Sequence, residues 1–296
     1  MTQTQELLVA GSIALDTLEG SFGTVHDELG GSALYFALAA SLIMPVRMMA
    51  PVGAETAGRL EAAIQGRPID ATLVAVLDEP TYRWRAVQGA GHNIDLGSED
   101  SIYDAWEPSP PPGFDGWAFL GSMRPDRQAQ LAKGLDGAAR LSADAMLSYV
   151  RSQPPEAQEV LRRSSWYFCN LEELEALGGD EPESFRRRWG LEGLVVKAGL
   201  RGVTAYRQSG SVHVPALTDR PVIDTTGAGD AIAAGMLAHW LSTGGDPSAL
   251  RESLLWGVAC ASLTIADIGL RGILGATRAQ LDERVLEVKE SLPRGS

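Results

Sequence analysis

Residues 222–235 read VIDTTGAGDAIAAG, and this stretch decides the fold class because an apolar strand end runs through a glycine turn into a helix. Gly227 and Gly229 carry no side chains, so successive backbone N–H groups can point at an anion. The N-terminus of the following helix adds a favourable partial positive charge. The stretch therefore predicts a phosphate-binding cradle of main-chain atoms at the edge of an α/β sheet.

Asp230 places a carboxylate directly after this cradle. A carboxylate that faces phosphates is repulsive unless it serves the incoming nucleophile, which it does by accepting a hydroxyl proton as phosphoryl transfer begins. Asp is also common at helix N-caps and stabilises a first helical turn. In an isolated GxGD string the cap is the commoner explanation, so the choice depends on the rest of the sequence.

The composition of the 296-residue chain is that of a globular protein, with 45% hydrophobic and 21% charged residues. Its 25 basic and 38 acidic residues give a net charge of −13, so we expect neither nucleic acid nor a membrane surface as a partner. Cys169, Cys260 and four scattered histidines predict neither a disulfide framework nor a zinc site. The N-terminal residues are polar, unlike a signal peptide, and no run of about 18 apolar residues occurs in the sequence. These two observations predict a cytoplasmic protein.

Apolar strand-like and helix-like stretches alternate along the chain, which predicts βαβ units and a parallel sheet within a single domain of residues 1–296. Two segments, at about 13–30 and 71–107, alternate bulky and polar residues, as exposed antiparallel strands do. These segments predict a small β lid on the main domain. The expected strands of the main sheet include residues 46–52, 71–77, 117–120, 138–142, 166–169 and 193–197.

The complete 222–235 string closely resembles the C-terminal signature of ribokinase-like (PfkB) kinases, in which a DTxGAGD segment forms an anion hole and carries the catalytic base. The resemblance implies a three-layer α/β/α sandwich with a mostly parallel sheet and a small β lid. It also implies ATP-dependent phosphorylation of a hydroxyl on a small sugar-like acceptor. Asp230 would be the general base, and the backbone of Gly227, Ala228 and Gly229 would be the anion hole.

Two further segments match motifs of this family. Asn170 and Glu173 fit its NxxE motif, which implies that they hold a water-coordinated Mg²⁺ near the phosphates; a helix N-cap with an acidic first turn is the alternative. Lys197, Gly199 and Gly202 fit a KxGxxG segment, which implies that they line the nucleotide. A plain β-turn explains the second segment nearly as well.

The N-terminal part of the chain resembles the family's substrate-binding region. Asp16, Gly30 and Gly31 stand where the family contacts substrate hydroxyls, and a carboxylate suits a polyol because it accepts two hydrogen bonds. Tyr35 stands where ribokinases carry Asn, so free ribose is expected to be a poor acceptor. Core packing is the alternative role for Tyr35.

The resemblance also bears on a monovalent cation, on a homodimer and on Asp144, and it leaves all three open. Asp224 and Thr226 match positions that bind a monovalent cation in several relatives, so K⁺ is allowed beside ATP and Mg²⁺ without being required. A homodimer that pairs through the lid is also allowed. Residues 141–146 resemble a DTM-like stretch of a bacterial sugar and nucleoside kinase branch, but they assign no role to Asp144.

The sequence lacks the motifs of two other classes of nucleotide-binding protein. The chain has no GxxxxGK[ST] motif, and Gly89-Ala90-Gly91 lacks the third glycine of a dinucleotide site. Within the resemblance, the acceptor is a sugar, a nucleoside or a cyclitol, and a catalytically silent ligand-binding protein on the same fold is the alternative to an enzyme. The lid aromatics, Tyr82, Trp84 and Trp106, either stack on a substrate ring or pack within the lid.

Overall fold

The computed structural model describes residues 6–89 and 93–292. Within these residues, nine strands form a main sheet in the order β13-β12-β11-β10-β9-β8-β1-β4-β5. Its strands are β1 (Leu7–Ala10), β4 (Val46–Gly53), β5 (Ile69–Leu77), β8 (Trp117–Leu120), β9 (Arg140–Ala143), β10 (Trp166–Asn170), β11 (Gly193–Lys197), β12 (Val203–Arg207) and β13 (Gly210–Val214).

Seven neighbouring strands of this sheet pair in parallel, in the spatial order β5-β4-β1-β8-β9-β10-β11. The last two, β12 and β13, pair antiparallel at one edge of the sheet. The mostly parallel sheet expected from the alternation of strands and helices is thus confirmed. Because parallel strands end at the same edge of a sheet, the segments after β1, β9, β10 and β11 are brought together there.

Helices cover both faces of the main sheet, which gives the expected three layers. One core lies against α1 (Ser32–Ala40), α2 (Ala54–Ile64), α9 (Ala228–Ser242), α10 (Leu250–Thr264), α11 (Arg271–Leu274) and α12 (Arg278–Glu290). The other lies against α3 (Ile102–Ala105), α4 (Pro125–Gly134), α5 (Leu147–Ser152), α6 (Pro154–Arg163), α7 (Leu171–Ala176) and α8 (Pro182–Arg188).

β1 shows why the central strands are continuously apolar. Leu7 and Val9 belong to the first core, whereas Leu8 and Ala10 belong to the second, so successive side chains are buried on opposite faces. A strand covered on both faces has no solvent side at which polar residues could alternate with apolar ones.

A second, separate sheet forms the lid. In the described part of the chain its order is β3-β2-β6-β7, with β2 (Ala14–Gly20), β3 (Gly23–Gly30), β6 (Tyr82–Gln88) and β7 (Asn93–Glu99). The expected lid segment at 13–30 agrees with β2 and β3. The segment expected at 71–107 is too long at both ends, because residues 71–77, also expected as a strand of the main sheet, lie in β5, and Ile102–Ala105 form α3 against the second core.

The pairing of β5 explains this error. β5 pairs in parallel with β4 along nearly its whole length, as the edge strand of the main sheet. Its side chains alternate between exposed and half-buried because no further strand or helix covers that edge completely. The second segment of the lid therefore begins at Tyr82.

The segment before the glycine cradle also differs from the expectation. Residues 215–226 form a loop rather than a strand, and Ile223 is held there by hydrogen bonds from its N–H to Ile265 O and from Gln88 Nε2 to its carbonyl. Across the described ranges, no helix is both long enough and apolar enough to cross a bilayer.

Candidate active site

A cavity of about 830 Å³ lies between the carboxyl edge of the main sheet and the lid, and its wall includes the glycine cradle. Carboxylates outnumber cations among the described residues that line it. The cations are Lys197 and Arg151, and the carboxylates are Asp16, Asp95, Asp144, Glu172, Glu173 and Asp230.

The cradle is the turn that opens α9. Gly227 is the residue before the first helical one and has φ +74°, a left-handed conformation that favours glycine. A Cβ at Gly227 would lie 2.1 Å from the ring of Tyr35, so a side chain would not fit there. Asp230 lies in the first turn of α9 and lines the cavity.

The carboxyl group of Asp230 lies in an unfavourable environment for negative charge. Burial raises its pKa, and the negative charges of Asp144 and Glu173 raise it further, whereas Lys197 opposes them. A carboxylate with a raised pKa accepts a proton more readily than an ordinary one, which suits a general base.

Asn170 and Glu173 form a capping box at the start of α7. Asn170 Oδ1 accepts from the Glu173 N–H at 2.9 Å, and Glu173 Oε2 accepts from the Asn170 N–H at 2.8 Å. Both residues also line the cavity. The helix-capping alternative is therefore present in the structure, together with a position at the cavity wall.

The environment of Glu173 suits a nearby hydrated cation. Burial raises its pKa to about 7, and Asp144 adds to this effect while Lys197 opposes it. Over the described ranges, no group of three or more His, Cys, Asp or Glu residues is arranged to hold a metal directly. Asn170 and Glu173 consequently fit Mg²⁺ held through water better than Mg²⁺ held by direct ligands.

Asp224 and Thr226, the expected K⁺ ligands, are hydrogen-bonded to each other in the loop before the cradle. Asp224 Oδ1 accepts from the N–H and the hydroxyl of Thr226, and Oδ2 accepts from the Gly269 N–H at 2.9 Å. The hydroxyl of Thr226 is also bonded to Asn93 Nδ2 at 2.7 Å. Both oxygens of Asp224 thus accept from protein donors, and K⁺ binding by Asp224 and Thr226 stays a prediction.

Asp16 lies on β2 at the lid side of the cavity and is only 2% exposed. Its Oδ1 has no hydrogen-bond partner among the described residues, which is costly for a buried carboxylate. Burial raises the pKa of Asp16, with a further contribution from Asp224 and Glu28. A Cβ at Gly30 would lie 2.2 Å from Asp16 Oδ2, so this glycine makes room for the carboxylate.

Gly31 joins the lid to α1. It has φ +101°, and a Cβ there would lie 2.4 Å from the carbonyl oxygen of Ser12. Ser12 and Ser32 lock this junction, because each backbone N–H bonds the other residue's hydroxyl at 3.0 Å. Gly31 thus lines the cavity at a position where the main chain is fixed.

Tyr35 lies beneath the cradle as well as at the cavity wall. Its side chain is 2% exposed, and its ring occupies the space where Gly227 would carry a Cβ. Its hydroxyl finds no hydrogen-bond partner within the described ranges. The ring therefore supports the anion cradle, in agreement with the packing alternative.

Lys197, Gly199 and Gly202 all line the cavity at the end of β11. Gly202 has φ +90°, and a Cβ there would lie 2.2 Å from Val214 O. The sequence did not anticipate that Lys197 Nζ donates to Asp144 Oδ2 at 2.5 Å. Although burial disfavours the ammonium, Asp144 and Glu173 hold the pKa of Lys197 above its ordinary value.

The lid aromatics divide between packing and cavity lining. Tyr82 and Trp106 lie against Tyr103, with ring centroids 5.9 Å and 6.0 Å away respectively. Tyr82 also lines the cavity, as does Trp84, whose Nε1 donates to Asp95 Oδ1 at 3.0 Å.

A contact between the lid and the loop before the glycine cradle was also not anticipated. Asn93 on β7 bonds both threonines of the DTTG string, accepting from Thr225 Oγ1 at 3.1 Å and donating to Thr226. No local signal identifies Asn93, because its partners lie 132 and 133 residues further along the chain.

Comparisons with known proteins agree with this architecture. The family model described as pfkB family carbohydrate kinase matches residues 13–274. An ATP-dependent ribose-1-phosphate kinase from Halopiger xanaduensis is 29% identical over 280 residues, which are 90% of this chain and 90% of the relative. A cytidine kinase from Thermococcus kodakarensis is 26% identical over 249 residues, covering 79% of this chain and 88% of the relative.

A solved structure shows the same fold. The nucleoside kinase of Burkholderia thailandensis in complex with inosine superposes with a TM-score of 0.78 and 21% identity, covering 98% of this chain and 100% of that one. Taken with the match over residues 13–274, the ribokinase fold and its glycine cradle establish that the chain belongs to the pfkB family of carbohydrate kinases and is a phosphotransferase that acts on hydroxyl groups.

Proposed function

We propose that the protein transfers the γ-phosphoryl group of ATP to a hydroxyl of a small, uncharged, sugar-like acceptor. The observation that carries this proposal is the position of Asp230, in the first turn of α9 directly after the glycine cradle and on the wall of one large cavity. A base at that point meets an acceptor hydroxyl where the phosphoryl group is held.

Each part of the site has a role in this proposal. The backbone N–H groups of Gly227, Ala228 and Gly229 stabilise the negative charge of the phosphoryl group in transfer. Lys197, Gly199 and Gly202 line the nucleotide. Asp230 accepts the proton of the attacking hydroxyl, and the acceptor is held at the lid by Asp16.

Asn170 and Glu173 would hold Mg²⁺ through its water shell. When bound, Mg²⁺ neutralises charge on the phosphate oxygens. The raised pKa of Glu173 supports this role, because a nearby cation favours the charged form of the carboxyl group.

The charge of the cavity favours a neutral acceptor over a phosphorylated one. Among the described lining residues six are carboxylates and two are cations, and one of those cations, Lys197, is already paired with Asp144. An anionic sugar phosphate would therefore be repelled at the lid side of the cavity, where Asp16 and Asp95 lie, whereas both lining cations belong to the main domain. Arg151 is the lining cation that remains for such a substrate.

A nucleoside is the second candidate acceptor. Trp84 offers a ring from the lid to the cavity, and aromatic rings bind bases by stacking. The cytidine kinase of Thermococcus kodakarensis and the inosine-bound nucleoside kinase of Burkholderia thailandensis agree with this candidate.

An acceptor screen tests the proposal. We would measure ADP release from MgATP with ribose, a hexose, inositol, ribose-1-phosphate and several nucleosides, using the wild type and Asp230→Asn. We expect Asp230→Asn to retain nucleotide binding and to lower kcat by about 10² to 10⁴. Near-wild-type turnover would exclude Asp230 as the base, and nucleotide binding without turnover of any acceptor would favour a silent binding protein.

The same screen addresses specificity. A phenol at position 35 replaces an amide that would bond two neighbouring hydroxyls, so ribose is expected to be about tenfold to a hundredfold poorer in kcat/KM than the best acceptor. Ribose as the best acceptor would contradict this expectation.

A further inference from the structure

A buried ion pair joins two strands beside the cradle. Lys197 Nζ at the end of β11 donates to Asp144 Oδ2, just after β9, at 2.5 Å, and the two side chains are 14% and 5% exposed. Both residues line the cavity. An ion pair this deeply buried is weak evidence for stability, because the cost of desolvating both charges offsets much of their attraction. Its position is therefore of more interest than its strength.

The ammonium of Lys197 lies directly against the anion cradle. A Cβ on Gly229 would be 2.9 Å from Nζ and 3.5 Å from Cδ, so the end of the lysine side chain runs past this glycine. The negative charge of Asp230 also acts on Lys197. The ammonium thus lies between Asp144 and the backbone that would receive the phosphoryl group.

Asp144 is itself held rigidly. Its N–H donates to Leu120 O at 2.9 Å, its carbonyl accepts from Gln128 Nε2 at 2.7 Å, and its Oδ1 accepts from the Ala145 N–H at 2.7 Å. Gln128 is 3% exposed and is fixed in turn by bonds to Leu120 O and Gly121 O. These bonds fix the backbone and Oδ1 of Asp144, with Oδ2 directed at Lys197.

We propose that Asp144 is a positioning residue for phosphoryl transfer, which fixes the Lys197 ammonium beside Gly229 so that this ammonium contacts the transferred phosphoryl group. The inference rests on the proposed kinase function. Lys197 touches the reacting group, whereas Asp144 acts only through Lys197.

This arrangement predicts that removal of the negative charge of Asp144 slows turnover without weakening nucleotide binding. The negative charge of Asp144 repels nucleotide phosphates, so its removal does not weaken their binding. Its removal also frees the lysine side chain to leave the productive position, and misplacement of a catalytic group by about 1 Å costs on the order of a hundredfold in rate. A residue with a merely structural role would lower both quantities together.

The test compares Asp144→Asn, Lys197→Met and the double variant. Binding of the Mg²⁺ complex of the non-hydrolysable analogue AMP-PNP is measured by calorimetry, and kcat is measured with the best acceptor of the screen. For Asp144→Asn we expect kcat to fall about tenfold to a hundredfold while Kd stays unchanged or falls by up to about tenfold. For Lys197→Met we expect a weaker Kd by about tenfold or more, together with a lower kcat.

The double variant decides whether Asp144 acts through Lys197. Once Lys197 is replaced, Asp144→Asn should change kcat by less than about twofold, because residues that act as a unit are not additive. Additive losses in kcat would overturn the inference, as would a Kd for Asp144→Asn that weakens as much as that for Lys197→Met. Lys197→Arg keeps the charge and should retain most of the AMP-PNP affinity.

Asp219→Asn is the matched control, because Asp219 pairs with the buried Arg284 at 2.8 Å and is not among the residues that line the cavity. We expect it to lower thermal stability without changing kcat. If no acceptor is found, binding still provides a test. Unchanged AMP-PNP affinity in Lys197→Met would overturn the inference by itself. A wild type that binds no AMP-PNP contradicts the kinase proposal and this inference together.

Discussion

The side chain of Glu173 caps helix α7 and also lines the cavity. It closes the capping box of α7 with Asn170, and it lines the cavity with a pKa raised by burial to about 7. Gln also closes a capping box, so Glu173→Gln removes the charge while it keeps the helix start. This substitution therefore separates the two roles.

We expect Glu173→Gln to raise the Mg²⁺ concentration required for half-maximal rate by about tenfold or more, and to change the acceptor KM much less. The reason is that a carboxylate that orients metal-bound water acts on the metal rather than on the acceptor. Mg²⁺ titrations of both proteins at saturating ATP provide the measurement. Superimposable titrations would contradict the assignment of Glu173.

Substitutions of Tyr35 separate the contribution of its ring to stability from that of its hydroxyl. Its ring fills the space beneath Gly227, while its buried hydroxyl has no partner among the described residues. Tyr35→Phe should therefore leave the free energy of unfolding unchanged or raise it by about 1 kcal/mol, because an unsatisfied polar group is removed. Tyr35→Ala should lower it by about 3 to 5 kcal/mol, because a cavity opens beneath the cradle.

Urea unfolding of both Tyr35 variants, with nucleotide affinity measured in parallel, checks this prediction. A clear loss of stability in Tyr35→Phe would show that the hydroxyl has a partner that it does not have in this structure.

At the scale of elements, packing on α10 holds α9, the helix that carries Asp230, in place. A Cβ on Gly235 of α9 would lie 2.5 Å from Trp256 O, and one on Gly257 of α10 would lie 2.6 Å from Ile232 O. The two backbones approach so closely that a side chain at either glycine would push α9, which carries Asp230, and α10 apart. Helix packing and the position of Asp230 are thereby linked.

Gly257→Ala should destabilise the protein by about 1 to 3 kcal/mol, since the new methyl group meets backbone rather than a flexible side chain. Gly58→Ala on α2 is the matched control. No described heavy atom outside its immediate surroundings lies within 4 Å of the Cβ it would add, so this change should stabilise by about 0.5 to 1 kcal/mol. Urea midpoints measure both effects, and equal shifts of one sign would refute the packing explanation.

At the scale of the whole molecule, the lid leaves apolar side chains uncovered. Ile94 and Leu96 on β7, an edge strand of the lid sheet, are 50% and 49% exposed. An uncovered apolar edge strand is a common place for a second chain to pair. This observation supports the proposal of a homodimer through the lid.

We expect light scattering to give twice the 31.5 kDa mass of the chain, and Leu96→Glu to shift the population towards the monomer by introducing a charge at the interface. Leu286→Glu is a suitable control, because Leu286 is 58% exposed on α12, outside the lid. A wild type that stays monomeric at high concentration would refute the dimer.

Much of the architecture could be predicted from local patterns. The strands expected at 117–120 and 193–197 have the same limits in the structure, because short apolar runs buried on both faces leave little freedom in their ends. Helices α6 and α12 received no prediction, although Pro154 at the first turn of α6 and the Thr277 to Gln280 capping box of α12 are recognisable start signals.

The sequence by itself determined the alternation of strands and helices and the cradle at 222–235, because hydrophobic period, glycine conformation and helix starts depend on neighbouring residues. Only the tertiary structure decided that Asp144 would meet Lys197 across 53 residues, or that Tyr35 would lie beneath Gly227. These contacts depend on which strands are neighbours in the sheet. The order β9-β10-β11 places the ends of separate segments at one edge, and local spacing carries no information about that order.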